Sequence, residues 1–249
     1  MARKVMFITG GTRGIGAATA RLAAARGWDL ALTYRSQAAR AEETAAACRA
    51  AGARVLLLPG DAAKEADILA AYDATQREFG RIDAVVNNAG ITGGKILLAD
   101  TTEADWRGVF DPNVIGLALS CREAVRRMST KRGGAGGVIV NVSSRASELG
   151  SGGEWIHYAA SKGAVDSLTI GLSREVAQEG MRVNAVNPGL IDTEIHAASG
   201  QPDRVGRLAP GVPMGRAGRA EEVAECILFL ASDAASYVTG ACLPVGGGR

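Results

Sequence analysis

The 249-residue chain is poor in the residues from which several kinds of site are built. It has two histidines, His157 and His196, and four scattered cysteines, Cys48, Cys121, Cys226 and Cys242, with no Cys-x-x-Cys pair. A histidine-based metal centre and a disulfide framework are therefore not expected; four ordinary thiols in a reducing compartment are. No apolar stretch approaches the roughly 18 residues of a membrane span. Val5–Ile8 is too short for the core of a secretory signal, and two glycines follow it almost at once. A cytoplasmic protein without a membrane partner is the expectation. Charge of either sign is also scarce in excess: 28 Lys+Arg face 26 Asp+Glu, and no run of like charges forms an arm or tail. That balance gives no reason to expect a nucleic-acid partner.

What the chain does have is alternation. Short apolar runs at Val5–Thr9, Leu30–Tyr34, Val55–Leu58, Ile82–Asn87, Val138–Val142, Val183–Val186 and Ala241–Val245 read as strands. Helix-like segments lie between most of them: Gly14–Arg26, Gln37–Ala51, Ala66–Phe79, a long one through Trp106 and Cys121, and Tyr158–Gln178, with Val223–Leu230 before the last run. Strands apolar on both sides and separated by helices predict one α/β domain over residues 1–249. Its architecture is a Rossmann-like, doubly wound parallel sheet of about seven strands with helices on both faces. Residues 191–216 hold Pro202, Pro210 and Pro213 and show no clear period, so they are expected to form a lid over a substrate.

Between the first strand and first helix runs Thr9-Gly10-Gly11-Thr12-Arg13-Gly14-Ile15-Gly16. Glycines there allow a tight turn and let backbone N–H groups and the helix N-terminus approach a pyrophosphate. A simple turn uses glycine too; the strand–loop–helix setting is what favours a phosphate cradle. The second strand ends Thr33-Tyr34-Arg35-Ser36, without the carboxylate that would hold the ribose 2′-OH of NAD. Arg35 and Ser36, with Arg13 in the loop, suit the 2′-phosphate of NADP(H) instead. Asp29 and Glu42 flank that strand rather than end it.

Tyr158 and Lys162 are four residues apart in a predicted helix and so share a face. An ammonium beside a phenol favours the phenolate, which would bring the tyrosine toward neutral-pH acid–base work. Taken together, the motifs resemble those of the short-chain dehydrogenases/reductases, in order and over nearly the whole chain. The resemblance implies that Gly10, Thr12, Arg13, Gly14, Ile15 and Gly16 hold the dinucleotide, with Asp61 and Ala62 at the adenine. It implies that Asn88, Ala89 and Gly90, from the Asn-Asn-Ala-Gly motif, brace the sheet and touch the adenosine ribose, and that Pro188, Gly189, Ile191 and Thr193 hold the nicotinamide. It further implies a catalytic set of Asn113, Ser144, Tyr158 and Lys162. In that set Tyr158 exchanges the proton, Ser144 bonds the substrate oxygen, Lys162 also bonds the nicotinamide ribose, and Asn113 holds a water.

Three details depart from the family pattern. The Ser144–Tyr158 stretch is one residue longer than usual, which leaves Ser143 as a rival to Ser144. Pro112 precedes the expected asparagine. Three glycines, Gly246–Gly248, stand where an aspartate and two glycines are common. His157 is expected at the rim, with a substrate contact as the minority reading.

The implied activity is hydride transfer between NADP(H) and a carbonyl or secondary alcohol; a thioester, a sugar or polyol, a steroid and a xenobiotic all remain open as substrates. A non-catalytic dinucleotide sensor or scaffold is the alternative. A homotetramer is implied by resemblance. Arg126, Arg127 and Arg174 offer either a dock for an acyl carrier protein or merely a solvated helix face.

Overall fold

A computed structural model describes residues 3–249. Seven parallel strands form one sheet in the order β3-β2-β1-β4-β5-β6-β9. They are β1 (Val5–Thr9), β2 (Asp29–Tyr34), β3 (Val55–Pro59), β4 (Ala84–Asn87), β5 (Gly137–Val142), β6 (Met181–Pro188) and β9 (Cys242–Val245). The short strands β7 (Ile191–Asp192) and β8 (Gly218–Arg219) pair separately. The seven expected strands are thus all present, and the sheet reverses direction of growth between β1 and β4. That reversal opens a crevice beyond the carboxyl ends of the strands, the place where open α/β sheets bind ligands.

The two faces of the sheet bury separate cores because strand side chains alternate. Met6 and Ile8 of β1 join one core and Phe7 joins the other. On the first face lie α1 (Gly14–Ala25), α2 (Ala38–Ala50) and α10 (Ala220–Ala231). Helix α1 is largely alanine on its buried side, with Ala17, Ala18, Ala20, Ala23 and Ala24 all buried. These small side chains let α1 lie close to both the sheet and α10. On the second face lie α3 (Glu65–Phe79), α5 (Gly116–Met128) and α7 (Ile156–Val176). There Tyr72 is fully buried, its ring centroid 4.4 Å from that of Phe7, and its hydroxyl donates to the Ser120 carbonyl at 2.9 Å.

Buried amides run through the middle of this apolar sheet. Asn87 Nδ2 donates to Asn141 Oδ1 at 2.9 Å, Ser120 Oγ donates to Asn87 Oδ1 at 2.6 Å, and Asn141 Nδ2 donates to Thr169 Oγ1 at 2.9 Å. Such groups are tolerable in a core because each finds a partner.

The long helix expected through Trp106 and Cys121 is not continuous. Helix α4 (Glu103–Phe110) starts at a capping box made by Thr102 and Asp105. A π-helical turn, Asp111–Ile115, then widens the chain before α5. Pro112 lies in that turn and brings no backbone donor to it. Gly116 follows, where any Cβ would overlap the carbonyl oxygen of Ala62, so glycine alone allows the loop after β3 to pass this closely.

Residues 191–216 are less irregular than their sequence suggests: besides β7 they contain α8 (Ile195–Ala198) and α9 (Arg204–Leu208), while the short α6 (Ala146–Leu149) lies opposite across the cleft. The base of this segment packs on the glycine triplet. Met214 N donates to the Gly247 carbonyl at 3.1 Å, and a side chain at Gly189 would strike the backbone of Gly246. Among the described residues no helix is long and apolar enough to cross a membrane.

Candidate active site

The crevice at the strand ends is a cleft of about 760 Å³. Its floor at one end is the loop between β1 and α1. Gly10 and Gly14 have φ of +61° and +49°, left-handed values that suit glycine. A Cβ on Gly16 would overlap the Gly10 carbonyl oxygen and crowd Asn88 Nδ2. The loop is braced from β4: Asn88 Nδ2 donates to the carbonyls of Thr9 at 3.1 Å and Gly10 at 2.9 Å, and the N–H groups of Asn88 and Ala89 both reach Thr9 Oγ1 at 3.0 Å. At the start of α1, Arg13 stands in the capping position and its side chain caps nothing. The first N–H groups of that helix therefore keep their donors for a ligand. A glycine cradle too tight for any side chain, under an uncapped helix N-terminus, fits the pyrophosphate of a dinucleotide.

Beyond the loop the cleft is lined by Arg13, Arg35, Ser36, Asp61, Ala62, Asn88, Ala89 and Gly90, and by Pro188, Gly189, Ile191 and Thr193 on the far side. All the expected cofactor residues meet in this one cleft except Gly16, which acts beneath it by letting α1 approach. Asp29 and Glu42 do not line it: Asp29 accepts from Arg54 N at 2.9 Å, and Glu42 pairs with Arg49 at 2.5 Å. Sequence reasoning missed Arg40 and Gln37, which stand beside Arg35. Gln37 holds a left-handed backbone, φ +64°, at the start of α2, and Arg40 reaches across to Glu194 Oε1 at 3.1 Å. Only the spacing of Arg40 one turn into a predicted helix could have pointed to it.

Ser144, Tyr158 and Lys162 share the opposite wall. Ser143 and Ser144 are now distinguishable. Ser143 is buried and its Oγ donates to the Lys162 carbonyl at 3.2 Å, tying β5 to α7, whereas Ser144 is half-buried and lines the cleft with Tyr158, its Oγ accepting from Ala146 N at 3.1 Å and donating to the Pro188 carbonyl at 3.4 Å. Lys162 is buried; its Nζ donates to the Val142 carbonyl at 2.8 Å and lies 5.6 Å from the Tyr158 ring centroid. Burial brings its pKa down to about 8, opposed by the charge of Asp166.

The expectation that Lys162 depresses the tyrosine's pKa is corrected here. Burial raises Tyr158 above the ordinary phenol value; the neighbouring Ser144 side chain and the charge of Arg204 oppose that rise without cancelling it. The ammonium is turned to a backbone carbonyl instead.

Asn113 lies just behind. Its side chain donates to the Ile91 carbonyl at 2.8 Å and to Ser161 Oγ at 3.1 Å and accepts from Ile91 N at 2.9 Å. The amide is thereby spent on fixing the turn after β4 to α7.

His157 departs from its expected place. It is 2% exposed, faces the Trp106 ring edge-on at 6.2 Å and does not line the cleft, so it is a packing residue rather than a rim residue. Arg126 and Arg127 are also not a free patch: both pair with the buried Glu123, and Arg127 pairs with Asp73 at 2.6 Å as well.

A parallel sheet with a glycine cradle at its switch point places the chain in the dinucleotide-binding class of α/β proteins. Comparison with known proteins narrows this. A family model described as enoyl-(acyl carrier protein) reductase matches residues 10–249. An uncharacterized oxidoreductase of Escherichia coli, YgfF, is 47% identical over 98% of this chain and 99% of its own. A cis-4-hydroxycyclohexanecarboxylate dehydrogenase of Sinomonas cyclohexanicum is 44% identical over 99% of this chain and 96% of its own. Among solved structures, a blue fluorescent protein from a metagenomic library, in complex with NADPH, superposes with a TM-score of 0.89 at 34% identity, covering 98% of this chain and 97% of that one. The chain belongs to the short-chain dehydrogenase/reductase family of oxidoreductases.

Proposed function

We propose that the protein is an NADP(H)-dependent oxidoreductase that interconverts a carbonyl group and a secondary alcohol, with Tyr158 as the acid and base. The observation that carries this reading is that Ser144, Tyr158 and Lys162 share one cleft with the glycine cradle. The cofactor supplies or accepts the hydride.

The residues do the rest. Tyr158 gives its proton to the substrate oxygen during reduction and takes it back during oxidation. Ser144 donates a hydrogen bond where negative charge grows on that oxygen. Burial favours the protonated phenol, the form an acid for reduction needs. With the cofactor bound, Lys162 would hold the nicotinamide ribose, and its ammonium, 5.6 Å from the Tyr158 ring, would steady the charge left on the tyrosine. Asn113, its amide already spent, contributes through its backbone and through the turn it fixes. Residues 191–216 act as the lid.

NADP(H) is favoured over NAD(H) by Arg13, Arg35, Ser36 and Arg40, which gather at the end of β2; that strand ends without a carboxylate, and Glu194, which reaches the cluster from across the cleft, is held by Arg40. The solved relative with NADPH supports the same preference. The dehydrogenase relative is named for a cyclic hydroxy acid, which supports a small ring-bearing substrate. Assembly into a homotetramer is part of the reading. It is supported by the uncovered edge of β9 and by the exposed apolar side chains Ile170 of α7, Phe229 of α10 and Tyr237. Light scattering on the purified protein checks it.

The deciding experiment is a titration with NADPH and NADH side by side, followed by a carbonyl screen with Tyr158→Phe as control. NADPH is expected to bind at least about tenfold more tightly. The variant is expected to bind NADPH normally and to lose turnover. Equal binding of NADH sinks the 2′-phosphate argument; turnover unchanged in the variant sinks the role of Tyr158. A sensor or scaffold would show no turnover to lose.

A further inference from the structure

Beyond the tyrosine, the cleft wall carries more positive charge than an uncharged carbonyl compound needs. Arg204, from α9, lies over the Trp155 ring with its guanidinium carbon 4.3 Å from the centroid. It donates to Glu154 Oε2 through Nη2 at 2.8 Å and Nε at 3.3 Å. The residue is only 9% exposed, yet its Nη1 makes no hydrogen bond among the described residues. Arg207, one turn further along, comes within 3.7 Å of the same carboxylate and donates to Gln201 Oε1 at 2.8 Å. Lys95, from the loop after β4, lines the same cleft; its neighbour Ile96 donates to the Glu154 carbonyl at 3.1 Å, and Lys95 forms no ion pair of its own among the described residues. Three cations thus face one carboxylate.

Two ring nitrogens on the same wall are buried without partners. They are Trp155 Nε1 and His196 Nδ1. His196 Nε2 lies 2.9 Å from the Ile191 carbonyl, so it carries the ring proton and Nδ1 is a bare acceptor. The wall thus holds two positive charges beyond what Glu154 offsets, and Trp155 Nε1 is a buried donor that an anion's oxygen could accept from, whereas His196 Nδ1 calls for a donor. A guanidinium's planar fork is shaped for a carboxylate.

We propose that the substrate carries a carboxylate in addition to its carbonyl or alcohol, and that Arg204, Arg207 and Lys95 receive it. This rests on the reading that places the carbonyl at Tyr158. The Trp155 ring neighbours both groups, with Arg204 4.3 Å from its centroid and the Tyr158 ring edge-on at 6.3 Å, so anion and carbonyl would be only a short spacer apart.

The test uses the protein saturated with NADPH. Matched pairs of probes differ only in charge: levulinate and methyl levulinate, para-acetylbenzoate and its methyl ester. Quenching of the bound nicotinamide's fluorescence reads binding, and loss of its absorbance reads turnover. In at least one pair the acid is expected to bind about tenfold more tightly than the ester. That preference should fall to within about twofold in the Lys95→Gln/Arg207→Gln double variant and fade with added salt. Equal binding of acid and ester, no binding of either member of any pair, or a preference that survives the double variant overturns the proposal.

Tyr158→Phe keeps the two ideas apart. It should keep the preference in binding while losing turnover. A wild-type protein that prefers the acids yet reduces neither member of any pair would leave the carboxylate site standing and remove the role assigned to Tyr158.

Discussion

The two ends of the cleft are built from different materials. The cofactor end is made of backbone: a loop whose glycines leave no room for side chains, an uncapped helix, and one asparagine bonded to two successive carbonyls. The substrate end is made of long side chains that meet from distant parts of the chain, with Arg204 and Glu154 fifty residues apart in sequence. Backbone geometry limits which residue types can stand at a position, so the first end is written into local sequence. Ion pairs between long side chains leave no such local trace.

Four measurements would break or sharpen this contrast. The largest effect is expected from Gly16→Val, because its branched side chain must occupy the space of the Gly10 carbonyl and Asn88. NADPH affinity should fall by more than about a hundredfold, whereas Gly152→Val, in open space, should change it little. Normal NADPH binding by Gly16→Val would show that the cradle is not as rigid as its packing implies.

At the other end, Arg204→Met removes one partner of a mostly buried pair and leaves Glu154 with weaker compensation. We expect kcat/KM to fall by about ten- to a hundredfold with NADPH affinity unchanged within about threefold. A matching loss of NADPH affinity would mean the two ends are not separable.

Arg35→Ser tests the middle ground, where a side chain performs a cofactor task. The ratio of NADPH to NADH affinity should drop about tenfold, and further when Arg40→Ala is added. An unchanged ratio in both variants would relocate the 2′-phosphate site.

The last measurement concerns pH and reads stability rather than binding. Lys162 titrates at about 8 when folded, against the usual lysine value of 10.5, because burial disfavours its charge. Between those values the unfolded chain binds more protons, so the group's contribution to stability rises with pH across that window. The melting temperature of the apoprotein minus that of Lys162→Met should therefore increase from below pH 8 to above pH 10.5. The full change is about 3 kcal/mol at most. A difference that stays flat would mean that Lys162 is not penalised by burial.

The legibility of the molecule follows the same division. All seven strands of the sheet and the residues of the glycine loop could be read from the sequence, because apolar period and glycine are local signals. Pro112 marked the place where the helix through Trp106 breaks, though not that the break is a π-helical turn. Arg40 went unnoticed because a cation on an exposed helix face is usually just solvated. His157 was misplaced because adjacency to Tyr158 says which way it does not point, but not how deeply the neighbouring Trp106 covers it. The direction of the Tyr158 shift was misjudged because four-residue spacing fixes a shared face and leaves open which acceptor the ammonium prefers.

The buried amides of the sheet have a consequence for alignment. Asn87 and Asn141 sit side by side in the pairing of β4 with β5. If β4 slid by a single residue, Asn87 would turn to the other face of the sheet and lose Asn141 and Ser120 in one move. Aliphatic neighbours such as Val85, Val86, Ile139 and Val140 could re-pack after such a slide; the amides could not. They act as a key cut into an otherwise greasy slot. The key lies one residue before Asn88 and two before Ser143, so it also sets how far the cradle and the tyrosine wall reach beyond the sheet edge.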